Sequence, residues 1–394
     1  MNLLLAWELG GGLGHVARLQ GLGRLLREDG HKLTYAFRNP GAAAQLRQSD
    51  LDHAHPAPVM TVMPGSRRAA YDYADLLLLR GYESTERLHQ KVAGWLNLIR
   101  TSGAECIIAD HAPTACLAAH VAGIRSITVG TGFTVPPLTK PLNPLMSNSP
   151  EPEAGQFSLE NRLDRAVADL LKQYGKPEVD RAVEIMAGRD RYICTYEELD
   201  AYGRRPEERY FGDIEPLSAG VAAHWASTSK PRLFVYLQAG VPITSLVIDV
   251  LSETETSCLL FLGGPRSRVS VGKQGGSLRM VDAPVDLSTL RGNCDLVLCH
   301  GGQGTLAAAL LAGIPTVTLP LHIEQYMTAS RLAALGSSRL VELEATRADI
   351  RNTVVGMVGN SVSRAAASRM AEKYAGFSPL VNAERLAGEI SAEL

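Results

Sequence analysis

The chain has 394 residues, with 39 Lys and Arg against 41 Asp and Glu and a formal net charge of −2, a balance that gives no bulk electrostatic drive towards nucleic acid. Hydrophobic residues make up 45% and charged residues 20%, which excludes a disordered chain and suffices for two or three ordinary domains. No apolar run approaches the roughly 20 residues of a membrane span, Met1 to Trp7 lacks the basic residues of a signal peptide, and the six cysteines contain no Cys-x-x-Cys pair; the expectation is a cytoplasmic protein with buried, reduced thiols.

Leu3 to Trp7 reads as a first strand, followed by the loop Gly10-Gly11-Gly12-Leu13-Gly14-His15. Val16, Leu19, Leu22, Leu25 and Leu26 recur at helical spacing, with Arg18, Arg24, Arg27 and Glu28 on the other side. Lys32 to Phe37 is the second strand. The opening is a poor dinucleotide fingerprint, because His15 takes the third glycine position. The second strand ends in Arg38-Asn39 without a ribose-binding acid, which leaves an NADP reading through Arg38 as one alternative. Prolines at 56, 58 and 64 break the next stretch into loops, and Tyr71, Tyr73 and Tyr82 serve either a pocket or the core. Thr85 to Arg100 has helical amphipathicity. Glu105 to Ala109 is a strand ending in Asp110-His111; a helix over 115–122 and a strand over 124–129 follow. The proline-rich stretch 136–155 predicts a long loop. Helices over 159–174 and 179–186 and a strand over 191–195 complete the first half, and the Ser/Ala/Pro stretch up to Pro231 marks a boundary near residue 213.

The alternation then restarts. Strands are expected over 233–237, 258–262 and 278–281, with a helix over 243–251 after the turn at Gln238. Asp295 to Cys299 is a short apolar run of the kind found in buried parallel strands. His300, Gly301, Gly302, Gly304 and Thr305 follow, then an Ala- and Leu-rich helix over 306–312, Gly313, a strand over 316–319 and the pair Glu324-Gln325. A glycine turn at a helix start leaves backbone N–H groups for an anion. The Thr305 hydroxyl and the His300 ring are further donors to a phosphate. Helices over 350–358, 361–374 and 380–394 close the chain.

The run His300, Gly302, Thr305 and Glu324-Gln325 resembles the donor-binding signature of family 1 nucleotide-sugar glycosyltransferases. The resemblance implies the GT-B architecture, an α/β fold of two Rossmann-like, doubly wound parallel-sheet domains facing a cleft. It implies an acceptor-binding domain over 1–213, a donor-binding domain over 214–375, and a last helix, 376–394, crossing back. In such enzymes, and more distantly in the peptidoglycan N-acetylglucosaminyltransferase, strand, glycine loop, Gly-His and helix open the chain. The resemblance makes His15 the general base and Asp110, or His111 beside it, the residue that supports it. His300, Gly301, Gly302, Gly304 and Thr305 would hold the diphosphate, with Gln238 as a donor contact. Glu324 and Gln325 would hold sugar hydroxyls and Pro284 would flank the base. The family's ribose-binding Glu falls on Ala308, and its base-flanking Trp-x-Pro-Gln is Asp282-Ala283-Pro284-Val285.

The function expected is inverting transfer of a hexosyl group from a nucleoside diphosphate sugar, uridine first and thymidine next, to a small-molecule, lipid or peptide hydroxyl. Neither a metal nor a cofactor is expected. A nucleotide-sugar epimerase of the same fold and a non-catalytic nucleotide-sugar-binding protein are the other readings. Oligomeric state is not legible.

Overall fold

The structure, a computed structural model, describes residues 1–12, 14–39, 41, 53–59, 68–146, 155–215, 220–227, 229–264 and 278–394. It divides into two compact units. The first comprises residues 1–195, 205–215 and 380–394, and the second 196–204 and 216–379.

The first unit is built on six parallel strands in the order β3-β2-β1-β4-β5-β6: β1 (Asn2–Trp7), β2 (Lys32–Phe37), β3 (Ala54–Pro56), β4 (Cys106–Asp110), β5 (Arg125–Gly130) and β6 (Asp190–Ile193). Its helices are α1 (Gly14–Glu28), α2 (Tyr73–Leu77), α3 (Thr85–Ser102), α4 (Pro113–Ala122), α5 (Gln156–Gln173) and α6 (Ala182–Met186). Side chains alternate across the sheet. Leu3, Leu5 and Trp7 enter one core with α1, while Leu4 and Ala6 enter the other with α3 and α4. Burial on both faces explains why these strands read as continuous apolar runs rather than alternating ones.

The second unit repeats the plan with β7 (Arg232–Gln238), β8 (Ser257–Gly263), β9 (Leu278–Val281), β10 (Leu296–Cys299), β11 (Thr316–Thr318) and β12 (Ser338–Leu340), in the order β12-β11-β10-β7-β8-β9. Its helices are α7 (Ile243–Ser252), α8 (Gln303–Ala312), α9 (Ile323–Ala334), α10 (Arg347–Met357) and α11 (Ser361–Lys373). Both sheets therefore have the doubly wound order 3-2-1-4-5-6, and each reverses direction beside its first strand. That switch point lies between β1 and β4 in the first unit and between β7 and β10 in the second.

The last helix, α12 (Pro379–Glu393), places Ala383, Leu386, Ala387 and Ile390 in the β1–α1 core of the first unit. Complete burial of Leu386 and Ile390 contributes about 1.5–3 kcal/mol each. Residues 196–204, ahead of the expected boundary near 213, group with the second unit because Tyr196 and Leu199 pack with Phe234 and Leu259. All six cysteines are buried and unpaired. Among the described residues no helix is long and apolar enough to cross a membrane.

Candidate active site

At the switch point of the first unit the chain leaves β1 through Glu8, Leu9 and Gly10 and enters α1 at Gly14, while β4 ends at Asp110. The Leu9 N–H donates to the His111 carbonyl at 2.9 Å, joining the two strand ends. His15, in the first turn of α1, stacks on Trp7 with ring centroids 5.1 Å apart. Its Nδ1 lies 3.0 Å from Asp110 Oδ1. His111 is farther away, its ring centroid 6.3 Å from that of His15. The structure thus places Asp110, and not His111, against His15.

Asp110 is fully buried, and burial by itself would favour its neutral form. The Arg18 guanidinium and His15 outweigh that and hold the carboxyl below its ordinary range. Arg18, expected on the outer face of α1, is instead buried; it donates from Nη1 to Asp110 Oδ2 at 2.5 Å and from Nη2 to Glu215 Oε1 at 2.6 Å. Beside it Asp213 accepts the Glu215 N–H on Oδ1 at 3.2 Å. Burial, then Glu215, pushes Asp213 up to about 8. His111 has a left-handed φ of 49° and sits among Tyr73, Phe133 and His15. Burial, then His15, pushes it down to about 3.

Glu8 closes the same strand end from below. Tyr82 donates to its Oε1 at 2.8 Å, the Thr114 N–H donates to its Oε2 at 2.9 Å, and Lys91 Nζ lies 2.5 Å away. All four residues are buried.

At the switch point of the second unit His300 follows β10. The Gln238 N–H donates to its Nε2 at 3.0 Å, and its Nδ1 donates to the Leu319 carbonyl at 2.7 Å. This is the neutral Nδ1–H tautomer, in keeping with burial lowering its pKa. Both ring nitrogens are committed to the backbone, which corrects the expectation that His300 donates to a phosphate. The ring instead ties together the ends of β7, β10 and β11. Gln238 has a similar part: its N–H holds His300 and its carbonyl accepts from Thr244 Oγ1 at 2.8 Å.

Gly301 turns the chain with φ 84° and Gly302 caps α8. The first turn, with Gly304 and Thr305, leaves N–H groups that have no acceptor inside the helix. Gly313 ends α8 in the left-handed region, φ 69°. Glu324 and Gln325 open α9. Gln325 Oε1 accepts the Leu321 N–H at 2.8 Å, and its backbone lies so near Gly301 that a Cβ there would be 3.4 Å from the Gln325 carbonyl. The glycine turn and the Glu-Gln pair are therefore neighbours. Pro284 is exposed, with its carbonyl accepting the Val221 N–H at 2.8 Å. Ala308 and Val285 are buried. Among the described residues no group of three or more His, Cys, Asp or Glu forms a metal site.

Residues 245–384 match the family model of the erythromycin biosynthesis protein CIII-like C-terminal domain. An uncharacterized glycosyltransferase of Mycobacterium leprae is 26% identical over 199 residues, 46% of this chain and 47% of that protein; the chain spans about half the length of the curated relatives it matches, or less. Among solved structures, the glycosyltransferase VinC in complex with dTDP aligns over 100% of both chains with a TM-score of 0.68 at 15% identity. The spinosyn rhamnosyltransferase SpnG complexed with spinosyn aglycone aligns over 98% of this chain and 100% of its own, with a TM-score of 0.63 at 17% identity. Two doubly wound parallel sheets give the chain the GT-B fold of these glycosyltransferases, and its residues 245–384 resemble the EryCIII-like C-terminal domain.

Proposed function

We propose that the protein transfers a sugar from a UDP- or dTDP-sugar to a hydroxyl group of a small molecule or lipid, with inversion at the anomeric carbon and without a metal ion. The observation that carries this reading is the pairing of His15 with the buried Asp110 at a strand-to-helix switch point. An imidazole there can take a proton at neutral pH. With Nδ1 turned to Asp110, Nε2 is the edge that accepts the acceptor's proton, and Asp110 stabilises the imidazolium that forms. The deprotonated oxygen attacks the anomeric carbon on the face opposite the diphosphate. The bond from that carbon to the diphosphate oxygen breaks, and the diphosphate leaves with its electron pair.

Charge on the departing diphosphate is met by the N–H groups of the α8 first turn and the Thr305 hydroxyl, oriented before the reaction begins. A helix start serves here as a divalent ion serves elsewhere. His300 and Gln238 fix that helix start, and Glu324 and Gln325 hold sugar hydroxyls. VinC bound to dTDP and SpnG bound to a spinosyn aglycone support a thymidine donor and a small-molecule acceptor.

Thermal unfolding in the presence of UDP, dTDP, GDP, ADP and NADP tests the reading. A ligand at one hundred times its Kd adds about 2.7 kcal/mol. Stabilisation by UDP or dTDP, unchanged by EDTA, is expected. Stabilisation by NADP alone, or a strict need for magnesium in turnover, would overturn it.

A further inference from the structure

Arg18 lies on the same face of α1 as His15, one turn further on, and its guanidinium serves two carboxylates. One arm reaches Asp110 Oδ2 at 2.5 Å and the other Glu215 Oε1 at 2.6 Å. Asp110 is left with Oδ1 for His15 Nδ1, 3.0 Å away. Arg18 is 2% exposed and Asp110 0%, so water does not screen this pair. A buried carboxylate facing an imidazole alone would favour the imidazolium strongly, and an imidazolium cannot accept a proton.

We propose, resting on the reading of His15 as the acceptor's base, that Arg18 is its positioning residue: acting through Asp110, it fixes the oxygen that faces the imidazole and draws off part of the carboxylate's charge. Glu215 sets the strength of this effect, because it competes for the same guanidinium. Gly14 permits its approach, since a Cβ there would lie 2.8 Å from Glu215 Oε1. The other groups around the pair are His111 at the end of β4, and Asp213 and Cys194, which interact with Arg18. Trp7, stacked on the imidazole, carries no charge.

The test is an NMR titration of the full chain labelled with 15N-histidine, without donor or acceptor, with the His15 signal assigned by its loss in His15→Gln. In Arg18→Met the His15 midpoint should rise by about one pH unit or more. Arg18→Lys should give a smaller rise, because an ammonium restores the charge without the second arm. Glu215→Gln should lower the midpoint, because the guanidinium then serves Asp110 undivided. Equal midpoints in all variants would overturn the proposal. So would shifts of one sign in Arg18→Lys and Glu215→Gln, the result that simple loosening of the site produces. Should Arg18→Met not fold, those two variants decide the question. Since no sugar nucleotide is present, failure here leaves the glycosyltransferase reading intact, and failure of the nucleotide panel leaves this result interpretable.

Discussion

A Cβ on Gly10 would lie 2.7 Å from His15 Nε2 and 3.4 Å from His111 Nδ1. Gly10 also has φ 86°, so it is required both for the turn after β1 and for the space the imidazole occupies. Gly10→Ala should push the ring off its stack with Trp7 and destabilise the chain by about 1–2 kcal/mol through the backbone alone. A displacement near 1 Å at a reacting group costs on the order of 100-fold, and loss of that size in nucleoside diphosphate release is expected. Activity within twofold of wild type would show that Nε2 does not work at this place.

His111 makes acid stability a readout of the same region. Its folded pKa, about 3, lies below the ordinary value near 6.5. The unfolded chain therefore binds the proton first, and the stability associated with neutral His111 is fully present above pH 6.5 and lost as pH falls towards 3. His300, also lowered by burial, acts in the same direction. His111→Asn removes the titration and tolerates the left-handed backbone. Urea unfolding between pH 7 and 4 should give a flatter stability profile for this variant; parallel profiles would mean that His111 ionises normally.

Asp213 gives the opposite slope. Its folded pKa is about 8, above the ordinary value near 3.9. The folded chain holds that proton while the unfolded chain releases it, so the contribution is fully present below pH 3.9 and lost as pH rises through 8. Its Oδ2 has no hydrogen-bond partner among the described residues. Asp213→Asn keeps the shape without the charge and should gain on wild type in melting temperature between pH 7 and 9. An unchanged difference across that range would sink the assignment.

Buried charge also explains how far the sequence could be read. His15 and Asp110 stand out in the sequence because a strand precedes each, with the Gly10–Gly14 loop before the first, but the roles given to them come from the resemblance alone. The strand-helix alternation is legible in the sequence, while the doubly wound order comes from the resemblance; β3 and β12, of three residues each, are too short for any period to register. A helix expected over 179–186 is confined to Ala182–Met186, since Pro177 and the polar residues after it favour a loop. Arg18 was misplaced because a cation beside leucines reads as a solvated face, and the carboxylates that bury it are 92 and 197 residues away. Glu8 was missed for the same reason: Lys91, Tyr82 and Thr114 come from α3, the turn before it and α4. Periodicity reports which side of a helix is apolar, not which polar groups find partners.

The Glu8–Lys91 pair should behave as a buried ion pair. Lys91→Met leaves a fully buried carboxylate facing Tyr82 and Thr114 without its cation, and about 3–5 kcal/mol of stability should be lost. Glu8→Gln with Lys91→Met removes both charges and should recover much of it. A double-mutant cycle in urea measures the coupling; strictly additive losses would mean that the two charges do not interact.

The proposed donor site can be tested without harming the fold. Gly302 caps α8 with φ −63° and ψ 138°, a conformation open to any residue, and a Cβ there meets nothing within 4 Å. Asp is a better helix cap than Gly by a few tenths of a kcal/mol, so Gly302→Asp should unfold at or slightly above the wild-type temperature. The same carboxylate occupies the place where a diphosphate would meet the helix start, and like charges there oppose binding. Stabilisation by UDP or dTDP should therefore disappear, with affinity down at least tenfold, about 1.4 kcal/mol. A variant that keeps its melting temperature and still binds the nucleotide would place the diphosphate away from α8, and with it the leaving-group half of the mechanism.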